Sequence, residues 1–425
     1  MIGKGDRHYD PYTRFNFNGF SEKPSTNELK NLFMYNGIAN KIITVPAYEA
    51  VRGDFCVMDG DNKLVEDNAL QSIVEDLKIQ EVIATAITWD RLFGGAAILM
   101  LVDDGSEELT EPLQIEKVNT IEELKVFEPG DINIMKCCED SKDKRYNMPE
   151  IYTLINDYGF SFDVHYSRLI VFNGDVIPND ERMARNGWGG TVLEKIRMDI
   201  ANYGVTLRNS LMALERMSQG VLKLEGMTSI LSMPEGDDMI RKRMNLIDMA
   251  RSIDNTIVVD NEDSYELHNL SLSNVDKIIE EYQTALAAVS SIPVTVLFGR
   301  SPGGLQSTGQ SDLENFYNMI DRIRHGKYKP ALQILLEVIN NARDLHVVLP
   351  DNYTIEFKPL WSPSEKEQAE TNKLNAESNK IKADTANIYC SSGAIDSQEI
   401  RATLANKELY TLDKTFDIED NIEGE

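Results

Sequence analysis

The residues best suited to chemistry in this sequence are a His-x-Ser element, two Gly-Lys pairs, a serine between glycines and a short run of cations. Each falls short of the set its chemistry requires. A phosphate-cradling Gly-x-x-x-x-Gly-Lys loop should be visible around Gly3-Lys4 or Gly326-Lys327, but Asp321 stands where the first glycine of the second pair would fall. Any nucleotide hydrolysis therefore belongs to a partner. Ser307 lies between Gly304 and Gly309 without Gly-x-Ser-x-Gly spacing, which makes it a loop serine rather than a nucleophile. A two-histidine phosphodiesterase needs two His-x-Ser/Thr elements, and His165-Tyr166-Ser167 stands alone. The histidines (His8, His165, His268, His325, His346) form no His-Glu-x-x-His pair. Asp59-Gly60-Asp61-Asn62 resembles the opening of a calcium loop, but Lys63 replaces the third ligand, leaving a turn. The expectation is a chain with no catalytic centre, no metal and no cofactor.

The elements that hold these residues are bounded by composition. A chain of 425 residues exceeds what one core organises, so two or three are expected. The longest apolar run, Ala96 to Val102, is far below the ~20 residues of a membrane span. Nothing near Met1 resembles a secretory signal, which predicts synthesis in the cytoplasm and no membrane partner. Cys56, Cys137, Cys138 and Cys390 suit neither a disulfide framework nor a zinc knuckle. The net charge of -27, from 70 acids against 43 bases, excludes a protein that grips nucleic acid by neutralising phosphates. Contact with DNA must be non-adhesive.

Along the chain, residues 1–26 read as an arm or as disorder. Helical spacing follows from Asn27, with Pro46 expected to end the pattern, and a longer helix is predicted over Val65 to Leu92. It should stop at Gly94-Gly95 and feed Ala96 to Val102, a buried strand. Strands are expected at Leu124 to Phe127, Ile151 to Ile155 and Leu169 to Phe172, giving an α+β body. Leu193, Ile196, Ile200, Tyr203, Leu207, Leu211 and Leu214 then mark an amphipathic helix of about 40 Å. Val221 to Leu224 and Thr256 to Val259 should flank a helix from Glu235 to Ile253, and helical spacing returns at Val275 behind the capping pair Ser273 and Asp276. Residues 292–309 hold Pro293, Pro302, Gly303, Gly304 and Gly309 and read as a loop. Ser311 and Glu314 should start a long helix, kinked or restarted at Pro330, with a strand at Tyr353 to Trp361 beyond. A polar helix, Ser364 to Tyr389, carries a thin seam of Leu374, Ile381 and Ile388 at heptad spacing. A capped helix from Asp396 to Ala405 and an acidic tail complete the pattern.

Three stretches carry a resemblance: Trp89-Asp90-Arg91-Leu92-Phe93-Gly94-Gly95-Ala96-Ala97-Ile98, Val164-His165-Tyr166-Ser167-Arg168-Leu169, and Ile292-Pro293-Val294-Thr295-Val296-Leu297-Phe298-Gly299-Arg300-Ser301-Pro302-Gly303-Gly304. With the order of elements, they make the chain similar to the phage portal family, in the branch once catalogued as a domain of unknown function. The resemblance implies a portal fold: an N-terminal arm (1–26), a wing (27–190 and 311–361), stem helices (191–217 and 273–291), a small α/β clip (218–272), a tunnel loop (292–310), a short helical crown (362–410) and an acidic tail (411–425).

It further implies a dodecameric ring in the virion, at the capsid portal vertex, assembled in the host cytoplasm. Such a ring conducts double-stranded DNA in packaging, retention and ejection without sequence preference. Implied partners are the terminase large subunit, a head-completion adaptor, and the major capsid and scaffold proteins. Arg300, Ser301, Pro302, Gly303, Gly304 and Gln306 would face the DNA. Arg241, Lys242 and Arg243 would meet a clip partner, unless they are a solvated helix face, and Leu207, Leu211 and Leu214 would pack stem against stem. The rivals are another virion structural adaptor and the two-histidine phosphodiesterase.

Overall fold

The computed structural model describes residues 23–392 apart from 61–62, 66, 217–219, 224–228, 230–231, 255–263, 268–274, 300–309 and 362–364. The chain divides into two units, Met1–Lys358 and Pro359–Glu425.

The first unit opens with α1 (Thr26–Tyr35), α2 (Gly37–Val51) and strand β1 (Phe55–Met58). A capping box starts α1: the Glu28 N–H donates to Ser25 Oγ, and the Ser25 N–H donates to the Glu28 carboxylate. Pro46 does not end the next helix as expected, since α2 runs through it to Val51. A proline lacks the N–H that the Ile42 carbonyl would otherwise accept from. The Arg91 guanidinium takes its place, donating to Ile42 O at 2.9 Å and Ile43 O at 3.2 Å.

The single helix expected over Val65 to Leu92 is two, α3 (Asn68–Asp76) and α4 (Ile79–Phe93), broken at Lys78, whose φ of 50° is left-handed. Such a residue costs about 1–2 kcal/mol. The break lets Leu70 and Ile73 face the same core as Ile79, Ile83 and Ile87.

That core lies against β2 (Gly95–Asp103), the centre of an antiparallel sheet ordered β3 (Thr120–Phe127), β2, β7 (Leu169–Asn173). Ala96, Ile98 and Met100 of β2 face the helices, while Ala97 and Leu99 face a second antiparallel sheet of β4 (Ile132–Cys137), β5 (Pro149–Ile155) and β6 (Ser161–His165). Burial on both faces explains the unbroken apolar run. At the head of β2, Gly94 has a φ of 83°, and a Cβ there would collide with the Gly189 carbonyl.

Beyond β7 come α5 (Asn179–Ala184), α6 (Val192–Arg216), β8 (Gly220–Lys223), α7 (Gly236–Asp254), β9 (Ser264–Leu267), α8 (Val275–Ser290) and the short α9 (Val294–Phe298). β8 is where the sequence places it, and it pairs with β9; residues 256–259 lie outside the described residues. α10 (Gln310–Ile323) leads through a π-helical stretch, Arg324–Tyr328, into α11 (Lys329–Asn341). The kink expected at Pro330 is this stretch just ahead of it: the Lys329 N–H reaches back to Arg324 O, so the helix widens before the proline instead of breaking. Arg324, almost fully buried, donates to the carbonyls of Ala50, Arg52 and Lys358 and ties the bulge to the end of α2. Ser311 is not the cap expected of it, because the helix already includes Gln310.

β10 (Thr354–Phe357) pairs antiparallel with β1 and is shorter than the expected Tyr353 to Trp361, stopping short of Pro359. In the second unit, α12 (Glu365–Ser391) exposes Leu374, Ile381 and Ile388 by 64–65%. Residues 396–405 lie outside the described residues. No helix among the described residues is long and apolar enough to cross a membrane.

Candidate functional site

The α6/α8 pair carries apolar residues beyond those that the first unit's core buries. α6 is started by a second capping box, which its Thr-x-x-Glu spelling makes legible: the Glu194 N–H donates to Thr191 Oγ1 at 3.1 Å, and the Thr191 N–H donates to Glu194 Oε2 at 3.3 Å. Arg185 holds the same carboxylate at 2.7 Å. Leu193, Ile196, Ile200 and Tyr203 are buried, Leu207 is half-buried, and Leu211 and Met212 are 62% and 42% exposed. The Leu214 side chain lies outside the described residues.

On α8 the trend reverses, from Ile278 (46% exposed) and Tyr282 (37%) to buried Leu286 and Ser290, although Val289 faces outward. The helices therefore run antiparallel, with their buried ends together. Gln283 Nε2 donates to Tyr203 Oη at 3.2 Å, and the Tyr203 ring lies 5.7 Å from that of Phe298, so one tyrosine joins α6, α8 and α9. Nothing in the sequence signals this contact.

α9 ends at Gly299, with a φ of 69° and an N–H donated to Thr295 O. Lys41 Nζ, from α2, donates to Leu297 O at 3.0 Å. Arg300, Ser301, Pro302, Gly303, Gly304 and Gln306 lie outside the described residues. On the far side, α10 is anchored by buried Phe316 and by Tyr317, whose ring lies 5.6 Å from the guanidinium of Arg52. Both flanks of residues 300–309 thus rest on α2 and its cap. On α7, Arg241 and Lys242 are exposed and Arg243 is half-buried, beside exposed Met239 and Met244.

The other two singled-out stretches are held internally. His165 Nδ1 and Ser167 Oγ are 2.8 Å apart, and the Leu113 N–H donates to the same hydroxyl. Nδ1 also accepts from the Ser167 N–H, so the ring is neutral, and burial, with help from Arg168 and Arg145, holds its pKa below the ordinary histidine value against the pull of Glu150. Arg168 and Asp104 form an ion pair at 2.8 Å with side chains 1% and 2% exposed. Burial pushes the Asp104 pKa up, but donation from Gln114, Ser106 and Arg168 outweighs it and leaves it lowered. In the first stretch, Asp90 is paired with Lys327, and Arg91 is half-buried, a loss of solvation that pulls its pKa down to about 10. Both stretches brace loops and helices. Among the described residues no group of His, Cys, Asp and Glu could hold a metal.

A model of the family described as phage portal protein matches residues 27–381. An uncharacterized protein of Haemophilus influenzae is 25% identical over 95% of this chain and 88% of its own length. Anti-CBASS protein Acb1 of Caulobacter sp. is 24% identical over 70% of this chain, and its namesake in Sphingomonas paeninsulae is 22% identical over 89%. The chain spans 49% and 60% of those two relatives. Among solved structures, the neck of an empty gene transfer agent particle, computed with C6 symmetry, matches with a TM-score of 0.54 at 12% identity, covering 90% of this chain and 94% of its own. The neck of the native particle, computed with C12 symmetry, matches with a TM-score of 0.50 at 12% identity over 89% and 92%. At such identity the likeness is one of fold.

Proposed function

The chain belongs to the phage portal protein family, and from that premise we propose that its copies close into a twelvefold ring around a channel for double-stranded DNA at a capsid vertex. As a member of that family it is a structural protein and not an enzyme. The observation that carries the reading is the α6/α8 pair, which leaves Leu211, Ile278, Tyr282 and Val289 exposed beyond the subunit's own core. Apolar faces of this kind gain by burial against neighbouring copies, and closed cyclic symmetry supplies a neighbour on each side. In this reading residues 191–217 and 273–291 are the stem, 218–272 the clip, 27–190 and 311–361 the wing, and 362–410 the crown.

DNA passes because it is not held. A net charge of -27 per copy repels phosphate, while Arg300, in the tunnel loop with Ser301, Pro302, Gly303, Gly304 and Gln306, touches the backbone transiently. Arg241, Lys242 and Arg243 offer the terminase large subunit or a head-completion adaptor a cationic contact, and the wing meets the major capsid and scaffold proteins. The ring acts in the virion and assembles in the host cytoplasm.

Electron microscopy of the purified full chain tests the ring: annular particles with a central hole are expected, and compact monomers at every concentration would overturn it. Deleting Ser301 to Gln306 tests the loop. Rings should persist while packaged DNA is lost, and a normal phage yield would remove the loop from the mechanism.

A further inference from the structure

A cleft of about 400 Å³ opens between β4, β5, β7 and the segment that follows α5. Its floor is aromatic and aliphatic, with Tyr152, Tyr166 and Trp188 among the lining side chains, and its charged lining residues are Arg145 and Arg182. No Asp or Glu lines it, in a chain with 70 acids against 43 bases. An acid-free cavity is therefore a local reversal of the molecule's charge.

The two arginines are set differently. Arg145 is fixed: its Nη2 donates to Pro149 O at 2.9 Å, and its guanidinium lies 3.5 Å from the centre of the Tyr166 ring. Its Nε is buried and has no partner among the described residues. Arg182 stands at the exposed edge, its Nε donating to Gly187 O at 3.0 Å. Around them the rim is apolar and open, with Ile134 and Met148 exposed by 38% and 50%. The volume suits a few inserted side chains.

We propose that this cleft docks an acidic segment of a partner protein, one that inserts an aromatic or aliphatic anchor between carboxylates. The anchor fills the space over Tyr152 and Trp188. A flanking carboxylate takes the unused donors of Arg182, and a second lies against Arg145. Met148 on the rim adapts to the rest of the segment. The same arginines and rings would accept a phosphate and a base, but nucleic-acid affinity comes from many phosphate contacts at once. Here two cations sit inside an apolar rim, on a molecule whose net charge repels a polyanion. A segment with two or three carboxylates and apolar residues between them meets less repulsion and uses the rim. The inference does not depend on the ring or on the tunnel loop.

The experiment uses the full chain and a fluorescein-labelled synthetic peptide, Glu-Asp-Trp-Glu-Leu-Asp-Glu, read by anisotropy, with labelled oligothymidylate as the second probe. Wild type is expected to bind the peptide, and Arg182→Glu to weaken it about tenfold or more, as loss and reversal of a charge-assisted contact should. Arg182 is exposed, so its melting temperature should be unchanged. Arg145→Gln, checked for folding by its melting curve, should weaken the peptide as well. Binding that both variants leave intact would place the peptide elsewhere, for instance on Arg241 and Lys242, and overturn the proposal. So would failure of wild type to bind the peptide, or capture of oligothymidylate in its place.

Discussion

The β2 core and the outer end of the α6/α8 pair use the same residue types to opposite ends. Around β2, both faces of the strand are covered by the subunit itself, and the polar residues nearby are consumed inside it: Arg91 on the carbonyls beside Pro46, Asp104 on Arg168, Ser167 on Leu113. On the helix pair, Leu211 continues the apolar spacing of Leu193 to Tyr203, and it, Ile278 and Tyr282 keep 62%, 46% and 37% of their surface exposed. The stretches around Trp89 and His165, distinctive in spelling, are thus scaffold, and the exposed helix faces are spelled in ordinary leucines and isoleucines. A distinctive motif locates where the fold is constrained, which need not be where a partner binds.

The sharpest way to break this contrast is to strike the scaffold. Asp104→Ala leaves Arg168 buried without its counter-charge, and its Nη1 already lacks a partner among the described residues. Removing one member of a buried pair costs about 3–5 kcal/mol. Denaturant unfolding should show a loss of that size, with Asp104→Asn intermediate because it keeps an acceptor for the Gln114 N–H. A loss below about 1 kcal/mol would mean the pair behaves as a surface bridge.

Much of this scaffold was legible beforehand. The continuous run Ala96 to Val102 announces a strand buried on both sides, and the three-and-four spacing from Leu193 onward gives α6 almost to its ends. What failed did so for tertiary reasons. Pro46 should stop a helix, and only an arginine far away in sequence lets it continue. The break at Lys78 has no glycine or proline to mark it, and it exists because two short helices reach one core better than one long one. The aromatic cleft was missed for the same reason: Arg145, Tyr152, Tyr166 and Trp188 have no common spacing until the sheet folds. Residues 300–309 lie outside the described residues, between two anchors on α2 and its cap.

A gentler probe of the scaffold is pH. His165 is neutral in the fold, with a pKa below the ordinary value of 6.5, so the unfolded chain takes up its proton first. The stability contributed is present above pH 6.5 and is lost as pH falls toward the folded value. Melting temperature should therefore drop more steeply for wild type than for His165→Asn as pH falls below 6.5, since asparagine keeps an acceptor for the Ser167 N–H and does not titrate. Parallel profiles would show that His165 takes up its proton as readily in the fold as in the unfolded chain.

The smallest effect on the subunit should come from Leu211→Asp, and it is the one that separates the two regions. Leu211 is 62% exposed, so the folded chain gains little from its partial burial, and a surface substitution of this kind changes subunit stability by no more than about 0.5 kcal/mol. In a ring the same carboxylate is pressed between neighbouring helices without a counter-charge, at a cost of several kcal/mol per interface. Light scattering after size exclusion should then find a folded, monomeric variant with the helical signal of wild type. Rings that survive would move the seam away from α6, and a variant that unfolds would mean Leu211 belongs to the subunit's own core after all.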